Sequence, residues 1–193
     1  MNLNFTNSEY VGVAIALAGI LLIGILVWWN GQRHKATTTG LRERFGTEYD
    51  RAVQKHGSES KAEAKLIDSE KRVEKLNIRE LEPAERERFL EQWKAVQSRF
   101  VDSPKEAVTE ADALVSSLMQ GRGYPASDFE RRVADLSVDH PDVAETYRTA
   151  HEIALKVGDR GTSTEELRTA MVQYHSLFEE LSQARAVDTK AAA

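Results

Sequence analysis

Five histidines, thirty-one acidic residues and one Gly-Arg-Gly-Tyr-Pro loop are the groups with which this chain could do chemistry. The histidines are His34, His56, His140, His151 and His175. A zinc hydrolase needs two imidazoles one helical turn apart so that both reach the same ion. No HExxH or HxxxH pair occurs here. The nearest wording is His151-Glu152, and Leu155-Lys156 stands where a second histidine is needed. Among the acids, Asp102, Glu106, Glu110 and Asp112 cluster, and Glu106 and Glu110 share a helix face. A helical di-metal centre also needs Glu-x-x-His elements, which the chain lacks. Glu145 with Arg148, and Glu165 with Thr169, read as ordinary solvated faces. There is no cysteine, no Gly-x-Ser-x-Gly elbow and no Walker loop. These patterns predict no catalytic residue, no metal site and no cofactor, hence a protein that is not an enzyme.

The remaining candidate is the loop Gly121, Arg122, Gly123, Tyr124 and Pro125. As an interaction loop it would offer its arginine and tyrosine to a partner, with Arg131-Arg132 adding a small basic spot. As a rigid corner it would use glycine for unusual dihedrals, pack the tyrosine on the core and stop the helix with proline. Basic residues are mixed with acidic ones at a formal net charge of −5, with no long basic run. That balance excludes a dedicated nucleic-acid binder, which needs a positive stripe against phosphates.

The elements that must position these residues begin with Val11 to Trp29, nineteen residues without a charge. As a helix this stretch is about 28 Å long, near the thickness of a bilayer core. It predicts one transmembrane helix over 11–29, with Tyr10, Trp28 and Trp29 at the membrane interface. A cleavable signal peptide would instead have a basic start and a small-x-small site, and neither is present. Gly12 and Ala16, four apart, could let spans pack closely. Arg33 and Lys35 follow the stretch, so the positive-inside rule places the C-terminal domain in the cytoplasm. The reversed, extracytoplasmic topology is the alternative.

Beyond it, 1–10 reads as a short tail, 30–40 as a juxtamembrane linker, 41–187 as an all-helical domain and 188–193 as a disordered tail. Leu41 to Gln54 is a broken helical stretch interrupted at Gly46-Thr47. About six helices follow. One spans Glu59 to Leu76, and one opens at Pro83 with Phe89, Trp93, Val96 and Phe100 on one face. Capping boxes are predicted at Ser103/Glu106, Ser127/Glu130 and Ser163/Glu166. The last helix spaces Leu167, Met171, Tyr174, Phe178 and Leu181 by 4-3-4-3. The fold class expected is therefore all-α: one N-terminal transmembrane helix, then a compact multi-helix domain.

The words LRERFGTEYDRAV (41–53), QWKAVQSRFVDSPKEAVTEADALVSSLMQGRGYP (92–125) and DFERRVADLSVDHP (128–141) resemble a family of uncharacterised bacterial, mainly actinobacterial, proteins. YRTAH (147–151) and STEELRTAMVQY (163–174) match it as well. Members are described as membrane-anchored or secreted, and related chains usually carry proline where Thr47 stands. The resemblance implies no activity, ligand or catalytic residue.

The function expected from these features is a single-pass, cell-membrane protein working as a protein–protein interaction or adaptor module. Its partners would be the lipid bilayer through 11–29 and an unidentified protein or a second copy, with no nucleic acid. An exposed apolar patch at Phe45 and Tyr49, or around Tyr124, would mark such an adaptor. The alternatives are a structural homo-oligomer, an envelope-facing sensor, and an enzyme whose pocket gathers His140, His151 or His175 with acidic residues.

Overall fold

The computed structural model describes residues 38–158 and 162–183. The chain divides into two units, Met1–Glu43 and Arg44–Ala193. Of the first, residues 38–43 are described, and they are helical. The second is all-helical, with no strand among its described residues. Its elements are α1 (Thr47–His56), α2 (Glu59–Val73), α3 (Pro83–Asp102), α4 (Pro104–Gly121), α5 (Phe129–Asp139), α6 (Pro141–Leu155), a 3-10 turn (Lys156–Gly158) and α7 (Thr164–Gln183).

The core forms where the longest apolar faces meet. α3 packs on α4, α4 on α7, and α7 on α6. Trp93 of α3 stacks on Phe178 of α7, ring centroids 5.0 Å apart, and on His175 at 5.2 Å. Val108, Ala111, Val115 and Leu118 of α4 fill the space behind them, fully buried. Such faces, rather than intrinsic propensity, hold helices of this length in place.

α1 and α2 form a hairpin laid against the other side, α1 on α6 and α2 on α5. The turn between them requires glycine. Gly57 sits at φ 76°, and its N–H closes α1 on the Val53 carbonyl at 2.9 Å. Ser58 then opens α2 by accepting the Lys61 N–H at 3.4 Å.

Two of the predicted caps differ from the sequence pattern. Ser103 makes no side-chain cap bond, because it is the single residue between two abutting helices. Its N–H closes α3 on Arg99 O at 2.8 Å, and its carbonyl accepts the Ala107 N–H at 3.0 Å. The α5 cap is Asp128 rather than Ser127; its carboxylate accepts the Arg131 N–H at 3.0 Å. The Ser163/Glu166 box forms, with reciprocal bonds of 2.7 and 3.2 Å.

The membrane reading is corrected. Residues 11–29, with Tyr10, Gly12, Ala16, Trp28 and Trp29, lie outside the described residues, as do the 1–10 and 188–193 tails and most of the 30–40 linker. Among the described residues, no helix is long and apolar enough to cross a membrane. α3 and α7 have the length, 20 residues each, but charged side chains recur along both. The single-pass architecture, the bilayer as partner, the cell-membrane location and the tethered adaptor all rested on one spanning helix. No described element supplies it.

Candidate functional site

The Gly121–Pro125 loop is a corner turned inward. After α4, the Gly123 N–H bonds to Gln120 O at 2.9 Å and the Tyr124 N–H to Met119 O at 3.0 Å. Gly123 has φ 101°, and a Cβ there would lie 2.3 Å from the Asn77 carbonyl oxygen, so only glycine fits. The Arg79 N–H donates to Arg122 O at 2.9 Å. Arg122 returns the bond from Nε to Arg79 O at 3.2 Å. Its Nη1 donates to Leu181 O in the last turn of α7, also at 3.2 Å. Arg122 is 0% exposed and Tyr124 3%. Gly121 ends α4, and Pro125 is half-buried. Phe45 and Tyr49 are fully buried too, so neither patch expected of an adaptor surface is exposed.

Three of the histidines pair with separate carboxylates. His151 Nδ1 lies 3.1 Å from Asp112 Oδ1, which also accepts the Tyr174 hydroxyl at 2.9 Å. His140 Nδ1 faces Glu180 at 3.4 Å, and His175 Nε2 faces Glu179 at 3.6 Å. His34 lies outside the described residues. Glu110 pairs with Arg99 rather than with Glu106. No group of three or more possible metal ligands forms among the described residues.

What the fold does assemble is a charged cleft between α1, α2, α5 and α6. Charged residues one helical turn apart line it: Glu48, Arg51 and Lys55 from α1, with Gln54 and His56 beside them; Lys65 and Ser69 from α2; Glu130 and Ala134 from α5; Arg148 and Glu152 from α6. The cavity has a volume of about 560 Å³. Arg148 is fixed in its wall, its side chain 8% exposed. Its Nη2 donates to Glu48 Oε1 at 3.0 Å and its Nη1 to Glu130 Oε1 at 2.7 Å. Outward from these acids, Arg51 stands 3.8 Å from Glu48 Oε2, and Lys55 donates to Glu130 Oε2 at 2.6 Å. The Arg148 Nε–H is buried with no hydrogen-bond partner.

No protein-family model, curated protein or solved structure matches this chain.

The two carboxylates that share Arg148 are tuned in opposite directions. Burial raises the Glu48 pKa and outweighs the attraction of Arg148 and Arg51. Burial also pushes Glu130 upward, but it is half-exposed, and Lys55 and Arg148 together draw its pKa below the ordinary value. Such a chain of alternating charges holds a guanidinium in fixed orientation before any ligand arrives.

Arg148 is the residue that the sequence reading misplaced. It stands as a solvated partner of Glu145 in the pattern, yet it is buried and held from two other helices. The local signal is slight: Arg148 follows fully buried Ala144 by four residues and so shares its face. The decisive partner, Glu48, is 100 residues away.

Proposed function

We propose that the second unit is a binding module that holds a small charged molecule in the cleft between α1, α2, α5 and α6, without covalent chemistry. The observation that carries this is Arg148: a buried guanidinium, oriented by two carboxylates, in the wall of a cavity of about 560 Å³. Small-molecule sites typically measure about 300–1,000 Å³ and place a few fixed polar groups in their walls. The separation of the histidines favours binding over catalysis, since general acid–base work needs such groups gathered beside one bound substrate.

A saturation-transfer NMR screen of charged and apolar small molecules on the full chain tests this reading. Charged hits that lose signal in Lys65→Glu and Ala134→Trp, two changes to the cleft wall, are expected. Hits that survive both substitutions, or a set of apolar hits alone, would refute it.

A further inference from the structure

We infer that the cleft receives an oxyanion, a phosphate or carboxylate group of a small molecule, at Lys65 and His56, with Arg148 as a fixed positive charge in the wall behind them. This rests on the binding reading and names its ligand class.

The charge balance points this way. The chain has fewer basic than acidic residues, 26 against 31. The cleft inverts that ratio, with Arg51, Lys55, Lys65 and Arg148 facing Glu48, Glu130 and Glu152. Two of the three acids are already engaged: Glu48 by Arg148 and Arg51, Glu130 by Arg148 and Lys55. Lys65 makes no ion pair within 4.0 Å among the described residues, and His56 makes none either, although both line the cavity.

Donor accounting gives a second argument. A guanidinium carries five N–H donors. Glu48 and Glu130 take one each, and the Nε–H has no partner. That Nε–H is closed off from the cavity by the atoms around it, so Arg148 acts on a ligand through its charge rather than through this donor. The donors left for an oxyanion are the Lys65 ammonium and the His56 ring N–H, neither of them held by a carboxylate among the described residues. The acids at the two Nη atoms of Arg148 keep the guanidinium from turning away, so little ordering remains to be done on binding.

The test is a titration of the ¹⁵N-labelled full chain, following the Arg148 Nε–Hε signal. Sodium sulfate is the tetrahedral probe and sodium succinate the carboxylate probe. Putrescine dihydrochloride is the cationic probe, and sodium chloride holds the ionic strength constant. The expected result is a saturable shift with sulfate, succinate or both; which of them saturates distinguishes a phosphate-type from a carboxylate-type ligand. Lys65→Glu, at an exposed position that leaves the core intact, weakens that binding about tenfold by reversing one contributing charge. Saturation by putrescine alone overturns the oxyanion assignment while leaving a binding cleft. Shifts that only follow ionic strength, or that Lys65→Glu leaves unchanged, overturn it as well.

Discussion

Arg122 and Arg148 are both buried arginines, and their partners separate their roles. Arg122 meets backbone carbonyls, Arg79 O and Leu181 O, as a cation does when it closes a helix C-terminus. Arg148 meets carboxylates from two other helices in the wall of a cavity. Replacing Arg122 by Ala strips partners from buried carbonyls and opens a void, so it should lower unfolding stability by about 3–5 kcal/mol in urea titrations. Arg148→Ala should cost about 3 kcal/mol because it strands the buried Glu48. Adding Glu48→Gln to Arg148→Ala should return part of that loss, and a double-mutant cycle measures the share. Acidification adds a check on the cleft. Glu48, its pKa raised by burial, takes up its proton earlier than an ordinary glutamate as pH falls. Arg51 on its own helix, Arg148 from α6 and Glu130 from α5 are the charges acting on it. Lys55 and His56 of α1, Lys65 of α2 and Glu152 of α6 line the same cavity. Neutralising Glu48 removes a negative charge beside Arg148, so sulfate, a dianion throughout, should bind about threefold tighter at pH 5 than at pH 7. The comparison belongs in a His56→Gln background to remove the imidazole, and Glu48→Gln should abolish most of the gain.

At the scale of elements, the sequence pattern and the fold agree where a helix is defined by its own residues. Pro83, the Phe89–Trp93–Val96 face and the Ser163/Glu166 box are local signals, and each reappears in place. The caps at 103 and 127 fail because neighbouring structure competes. α3 and α4 abut with Ser103 alone between them, and Asp128 caps α5 through the Arg131 N–H, one residue beyond the box expected at Ser127/Glu130. Asp128→Ala should therefore cost about 1 kcal/mol, while Ser127→Ala and Ser103→Ala stay within about 0.5 kcal/mol in thermal melts. Gly123→Ala should cost about 2–4 kcal/mol, since both its φ and the Asn77 carbonyl exclude a Cβ. The start of α3 carries a pH signature. Glu85 accepts from Arg79 at 2.7 and 2.8 Å and from the Glu82 N–H at 3.0 Å, which draws its pKa down to about 2. Its contribution is complete above the unfolded carboxylate pKa of about 4.3 and declines as pH falls toward 2. Glu85→Gln should lower Tm at pH 7, with the gap narrowing steadily toward pH 3.

For the second unit as a whole, the helical class was legible and the site was not. A helix writes its buried face every three or four residues, whereas the cleft is written across four helices between positions 48 and 152. Nothing near Arg148 in sequence announces Glu48 or Glu130. The Gly-Arg-Gly-Tyr-Pro loop drew attention because its unusual residues are adjacent, and its use is the stitching of α4, the 77–79 connector and α7. The α1–α2 hairpin, set against α5 and α6, leaves a charged cavity at their junction. The most direct test of that cavity as the binding site is an anomalous difference map from crystals of the full chain grown with sodium selenate. A selenium peak in the cleft is expected, with a selenate oxygen about 2.8–3.0 Å from Lys65 Nζ. Selenium peaks confined to other surfaces, with none in the cleft, would contradict it.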